Sequence, residues 1–598
     1  MNRQKGFLVI EVMIAAALFV IFSSGIIAVV LQAFDGNRLG SEETTANQYA
    51  AEGLEAVRSI KNQSFSNLVS TTSAGLMQSG GVWTVNGISN SFGKYTRVIS
   101  ISAVLRDGSG NIVSSGGSTD SATKKVTSTV SWKVNAARND SVILSTYLTN
   151  WRSLIGEGLV VYGSTTSLAQ PKYRSYVNST DTFSPEATVS AGFTDAVVGK
   201  TFKLKTSPTK QEVIEGYVNN SGVLRIMCFD GTTWSNEWTV TVGGTGTNDQ
   251  RFGIGYEQTS GDVLVVYSTN TAASNEMAYR TKLGTSGCGA SNWSGATNIT
   301  TARTTGIVQW IRMEPSSVVG SNTIGIAWAD ANSDLSAMEW TGSSFAVAEP
   351  ASVLEANLEI ATTAQDVMSF DIVMESTSGN FMVVWGPGGA SCTAGSTCMK
   401  YARYTGSWSA AAGVPTVADF ATNIDCSANP NSNEVVCAAL DNGTNRLDSA
   451  YWSGTTWTGF TSLDTTTATP LSGTKLVATG WLINGATTRY VIVYNDSATT
   501  NIGWYVGNGA TTPVVQTDFT PTPVFANPQK WYDIQTDPKN KDRLMFSLSD
   551  NNSDLFAKRL VMTSTPTFTW TNSDGGSALQ LNLGQATTGP FAFAYWRN

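Results

Sequence analysis

The chain has 598 residues, a net charge of −8 and not one histidine, so it is too long for one ordinary core and lacks the commonest general base and zinc ligand. Ser-His-Asp hydrolase, zinc-hydrolase and haem chemistry fall together. Nucleic acid is excluded as a partner, because no Lys/Arg cluster follows residue 62 and phosphate binding needs a concentrated basic surface.

The N-terminal stretch QKGFLVIEVMIAAALFVIF (4–22) opens an apolar run in which Glu11 is the only charge from Phe7 to Phe34. Its 28 residues make about 42 Å of helix at about 1.5 Å per residue, enough to cross a hydrocarbon core of about 30 Å. Arg3 and Lys5 precede the run and Glu42 and Glu43 follow it. The positive-inside rule then keeps the N-terminus cytoplasmic and exports the rest. No small-residue cleavage site ends the run, as it would in an ordinary secretory signal. Glu11 costs about 2.5–3.5 kcal/mol at a membrane centre, and such a carboxylate calls for a partner.

Lys5-Gly6-Phe7-Leu8-Val9-Ile10-Glu11 resembles the prepilin signature of type IV pilins and type II secretion pseudopilins: a short basic leader, Gly, Phe, and Glu as the fifth residue after the Gly. The resemblance implies that residues 1–6 are a leader, cut between Gly6 and Phe7 by a membrane prepilin peptidase. It implies N-methylation of the Phe7 amine and packing of the helix among other pilin subunits in a filament. Glu11 would pair there with the ammonium of a neighbouring subunit, setting register because either charge alone is left uncompensated. Many major pilins carry a kinking Pro in this helix; here the segment reads Ser23-Ser24-Gly25-Ile26, which favours a minor pilin.

The helix is expected to continue past the apolar run, and Ser41, followed by acids, is an N-terminal signal for a second helical segment. Its small or apolar positions Ala46, Ala50, Gly53, Val57 and Ile60 form one face, suited to packing on a sheet. Strands are expected at 95–105, 124–134 and 141–151, with a turn at 106–111. Residues 7–153 thus form an α+β pilin-like unit of long hydrophobic helix plus antiparallel sheet.

From 154 to 598 short strands recur: VLVVYS, IGIAWAD, FMVVWG, VVCAALD, YVIVYND and LMFSLSD, each followed by a turn, a second strand and usually an aromatic. The aromatics are Phe183, Trp234, Trp293, Phe345, Trp408, Trp457 and Trp570; the repeat near 505–514 lacks one. A step of about 55 residues fits a four-stranded propeller blade with long loops. The expectation is an all-β propeller of eight blades, with seven as the fallback count. Residues 579–598 would supply two strands of one blade and residues 171–189 the other two. The aromatics are expected to pack between blades.

Acidic turns at 330–334, 537–542 and 550–554 lack EF-hand spacing and carry ordinary turn residues, so no metal and no cofactor is expected. All six cysteines lie in the propeller, and an exported chain pairs them. Cys426 with Cys437 and Cys392 with Cys398 flank short turns; Cys228 with Cys288 remains, across neighbouring blades.

The combined reading is a minor pilin-like subunit, sparse in a surface filament and suited to its tip. It sits in the inner membrane before assembly and is extracellular afterwards. Its propeller binds an extracellular ligand, a surface glycan or protein, for adhesion, and is not an enzyme. Two alternatives stand beside it: a sialidase-like glycosidase, weakly suggested by DGTTW (230–234) without its Ser-x-Asp spacing, and a structural tip cap that primes assembly.

Overall fold

The structure, a computed structural model, describes residues 9–596 except 64, 108–110, 150–156, 166–169, 190–198, 245–248, 273–274, 300–305, 347–352, 360–368, 390–397, 416–419, 442–444, 468–472, 497–501, 521, 527–528 and 585–587. The chain divides into two compact units, Met1–Leu154 and Ile155–Asn598.

The first unit is built on one helix, α1, Val9–Gln63. The helix continues as expected and runs unbroken through the N-terminal signal at Ser41; the hydroxyls bond backwards within it, Thr44 to Gly40 O (2.8 Å) and Thr45 to Ser41 O (2.9 Å). A Ser/Thr side chain satisfied this way need not cap. The helix is apolar and long enough to cross a membrane, a test that signal sequences also pass. Ala46, Ala50, Gly53, Val57 and Ile60 are all buried. They lie against an antiparallel sheet whose long strands are Tyr95–Arg106, Ser118–Lys133 and, at the edge, Asn139–Thr149. Gly53 permits the approach, since a Cβ there would meet Ser128 Oγ at 2.7 Å. Buried Arg97 ties helix to sheet by donating to Tyr49 O (3.1 Å) and Asn90 Oδ1 (3.2 Å).

The second unit is an eight-bladed propeller. Blades 2 to 8 each take four consecutive strands, with first strands Gly199–Thr206, Phe252–Tyr256, Val308–Pro315, Phe370–Met374, Ala421–Ala428, Val477–Asn484 and Trp531–Thr536. Blade 1 closes the ring with a division other than the expected two plus two. Three of its strands come from the N-terminal side: Gly158–Tyr162, Lys172–Val177, and the outer pieces Thr182–Phe183 and Ala187–Thr188. Phe591–Tyr595 alone comes from the other end. The missed strand, GLVVY, is an apolar run buried at every position, so it shows no alternation. Residues 579–583 form no blade-1 strand; Leu555 pairs with Gln580 in a bridge beside blade 8.

The sequence period of one blade conceals a period of two. Even blades join their second and third strands with three to five residues, 220–222, 331–334, 442–446 and 550–554; odd blades use six to fourteen, 163–171, 269–276, 386–399 and 496–501. Two odd–even pairs share a staple. In blade 3, Glu257 accepts from Trp340 Nε1 of blade 4 (2.7 Å), and Asn322 of blade 4 accepts from Thr259 N and Ser260 N. In blade 5, Glu375 accepts from Trp452 Nε1 of blade 6 (3.0 Å), and Asn433 accepts from Thr377 N and Ser378 N.

The recurrent aromatics follow the same alternation. In every even blade the fourth-strand ring meets a third-strand ring of the preceding blade: Trp234–Tyr173, Phe345–Tyr279, Trp457–Tyr401 and Trp570–Trp504, with centroids 5.0–5.7 Å apart. Each ring removes about 150–250 Å² from water, an upper bound of about 4–6 kcal/mol at about 25 cal/mol per Å². Among odd blades, Trp293 crosses to Trp238, whereas Phe183 and Trp408 pack on rings of their own blades.

The acidic turns are filled by backbone. Fully buried Asp330 accepts from Asn332 N (2.9 Å), Asp334 N (3.0 Å) and Gly306 N (2.7 Å). Asp550 accepts from Asn552, Asp554 and Ala526 in the same manner. Asp330→Ala strands three amides and is expected to cost about 2–4 kcal/mol. Urea unfolding followed by tryptophan fluorescence measures this, and an unchanged midpoint would refute the role.

Candidate functional site

Of the residues that sequence reasoning singled out, Arg3, Lys5, Gly6 and Phe7 lie outside the described residues. Glu11 sits in the first turn of α1, exposed among exposed apolar neighbours. Cys228 is bonded to Cys288 across blades 2 and 3, and Cys426 to Cys437, opposite each other in register within blade 6. Cys398 is buried, and Cys392 lies outside the described residues. Glu212 lies beside the Cys228–Cys288 bridge, but oxidised sulfurs are not thiolate ligands.

DGTTW is a turn between third and fourth strands. Asp230 Oδ1 accepts from Thr232 N (2.8 Å) and Thr233 N (2.7 Å), and Gly231 takes φ 94°. TGSSF (341–345) and SGTTW (453–457) repeat the turn with Gly342 at φ 93° and Gly454 at φ 96°. The motif is therefore hairpin chemistry, and the glycine is there because φ is positive.

Blade 7 departs from this pattern. Its fourth strand is only Val514–Val515, both exposed, and the chain then runs out to Phe519, which bridges to Ile502. The departure opens a cleft of about 910 Å³ between the outer strands of blades 7 and 8. Its wall is aromatic. Phe519 stacks on Trp570 (5.2 Å), and Trp504 meets Trp570 and Phe568 edge-on (5.6 and 5.9 Å). Trp504 Nε1 donates to Thr517 O (2.9 Å), whereas the buried Trp570 Nε1 has no hydrogen-bond partner among the described residues. The rim is polar: Arg489, Asn508, Thr511, Gln516, Asp518 and Thr569. Burial, then Asp496 and Asp464, push the Asp518 carboxyl above the usual range. Sequence reasoning missed these residues, although the absent aromatic near 505–514 marks the place.

Such a cleft suits a ligand with apolar faces and hydroxyl edges: rings cover the first, and threonine, amide and carboxylate groups reach the second.

No protein-family model and no curated protein matches the chain. Among solved structures it is similar to the BP39L lectin from Burkholderia pseudomallei, at 12% identity over 64% of this chain and 99% of that one, TM-score 0.42. It is also similar to the fucose-specific lectin from Aleuria aurantia (12%; 55% and 96%; 0.31) and to the SapL1 lectin in complex with alpha methyl fucoside (14%; 62% and 99%; 0.29). Likenesses of this size say nothing about the ligand of this chain.

One further carboxyl has the raised pKa that a general acid uses. Glu215, on the second strand of blade 2, is fully buried, and neither oxygen has a partner among the described residues. Burial pushes its carboxyl up to about 8. Its cross-strand neighbours are Leu204 and Met227, and it does not line the cleft, so it is not placed to meet a substrate there. The unfolded value is about 4.3, so the folded state holds the extra proton between the two. Stability contributed by Glu215 is full below about pH 4 and is lost as pH rises toward about 8. Glu215→Gln should remove that part of the slope. Urea midpoints for both proteins from pH 4.5 to 9 test it, and two parallel curves would refute it.

Proposed function

We propose that the chain is a minor type IV pilin-like subunit whose propeller captures an extracellular ligand, a surface glycan, through the cleft between blades 7 and 8. The observation that carries the reading is the pairing of two features in one chain. One is the exposed apolar part of α1, up to Phe34, in which Glu11 is the only charge. The other is a disulfide-bonded propeller with a cleft walled by aromatic rings. Disulfides belong to oxidising compartments, which agrees with export of the second unit. A propeller on every subunit would crowd a filament, so sparse placement at the tip fits best. The propeller in this reading binds without turnover.

The N-terminal half of the proposal has a direct test. The mature N-terminal peptide from native envelopes should begin at Phe7 and carry one methyl group by mass spectrometry. A chain that keeps Met1 would make the segment a permanent anchor instead.

The cleft has its own. Thr569 is exposed and lines it, so Thr569→Arg should block the ligand without disturbing the core. Adhesion of cells carrying this variant to immobilised surface glycans should fall at least tenfold while filaments persist. Undiminished adhesion would remove the cleft from the proposal.

A second reading keeps the glycosidase alternative, on the single ground that Asp518 is a carboxyl of raised pKa inside an aromatic cleft. Turnover of fluorogenic glycosides that disappears in Asp518→Asn would favour it. Binding without turnover in the native protein favours the adhesin.

A further inference from the structure

The propeller axis holds a second, separate cavity of about 230 Å³, walled by the first strands of blades 1 to 5 and 8 and by Lys475. Aromatic side chains gather beside it: Trp310, Phe370, Trp531 and Phe591, near the starts of the first strands of blades 4, 5, 8 and 1, belong to one cluster. Charges alternate with apolar residues along the same strands: Lys203 and Lys205 in FKLK, Arg312 and Glu314 in IRMEP, Asp533 in YDIQ.

Most of these charges are already committed. Arg312 Nη1 donates to Asp371 Oδ1 (2.9 Å), and Asp371 Oδ2 accepts from Cys426 N (2.8 Å). Lys475 pairs with Asp425 (2.5 Å), which also accepts from Thr479 N (2.7 Å) and Oγ1 (2.9 Å). Asp533 accepts from Gln535 Nε2 (3.3 Å). Two lysines remain. Lys203 reaches across blade 3, its Nζ 5.3 Å from the Phe252 ring centre, to donate to Ile311 O (2.8 Å). Lys205 stands two residues on, along the same side of the strand. Among the described residues neither lysine has a carboxylate oxygen within 4.0 Å, although Glu314 and Asp533 line the same cavity.

We propose that the axial cavity is a binding site for a small oxyanion, a carboxylate or a phosphate, held by Lys203 and Lys205. Lys203, Lys205, Arg312 and Lys475 all line this space, and among the described residues only the last two pair with carboxylates; like charges this close repel more beside apolar walls than in open water. Burial first, then Arg312 and Lys205, hold the Lys203 ammonium well below its usual range. An anion between them reverses the repulsion and supplies charge-assisted hydrogen bonds that the backbone carbonyl alone does not. The volume exceeds that of a single water and admits anions from phosphate up to about the size of a sugar acid. This site is independent of the rim cleft and of any filament role.

The test is calorimetric titration of the detergent-solubilised full chain at low ionic strength, with inorganic phosphate in one arm and D-glucuronate in the other. At least one anion should bind with Kd below about 1 mM, an affinity of about −4 kcal/mol. Lys203→Met and Lys205→Met should each weaken it at least tenfold, and Lys172→Met, on the third strand of blade 1, should not. Binding of phosphate alone assigns phosphate; binding of glucuronate alone assigns a carboxylate. No heat with either anion, or equal affinity in all three variants, overturns the site. If Lys203→Met does not fold, Lys205→Met carries the same comparison.

Discussion

A blade is apolar on both faces and needs a neighbour on each, so the ring has to close. The pairing of Phe591–Tyr595 with Gly158–Tyr162 meets that need. Phe591, Phe593 and Tyr595 pack into the cluster shared with blade 8, while Ala592, Ala594 and Trp596 pack toward blade 2. Without this strand both of those clusters open to water. Closure also settles the edge problem. In four blades the outermost strand is only two residues long, Thr182–Phe183, Phe345–Ala346, Ala412–Gly413 and Val514–Val515, leaving little edge there on which another chain could pair.

The two-blade unit explains where the ring is uniform and where it is not. Glu257 and Glu375 recur 118 positions apart, each holding an indole of the next blade, and Asn322 and Asn433 do the same for the facing turns. A buried carboxylate is expensive unless fully hydrogen-bonded; Glu375 also takes two bonds from Arg403 (2.8 and 2.7 Å). Among the described residues blade 7 has no carboxylate holding an indole of blade 8, only Asn484 Nδ2 donating to Met562 O (2.9 Å), and no fourth-strand aromatic; the rim cleft lies on its outer side. The ring tolerates the exception because the neighbouring contacts through Trp570 and Trp504 remain.

Much of this was legible in the chain. The apolar helix, the face Ala46 to Ile60, the three long strands of the first unit and the blade count follow from periodicity alone. What periodicity concealed has physical causes. GLVVY is buried on both sides and so carries no alternation. Ser41 reads as a cap only where a helix begins, and here its carbonyl simply accepts from Thr45. The cleft depends on residues 489, 504, 518 and 570 meeting across two blades, and no local pattern states that. The axial lysines were visible as polar breaks in apolar strands, but their lack of carboxylate partners is a property of the closed ring.

The strand Gly158–Tyr162 lies between two others, paired over five residues with Lys172–Val177 on one side and with Phe591–Tyr595 on the other. It is also where the chain enters the propeller. Tension drawn along that strand loads both rows of hydrogen bonds at once, in shear, so they must yield together. Pulling a terminal hairpin open would instead break them one by one. A ring closed three-to-one is thus a mechanical latch set at its own tether point, and the first strand to feel a pull is clasped on both sides.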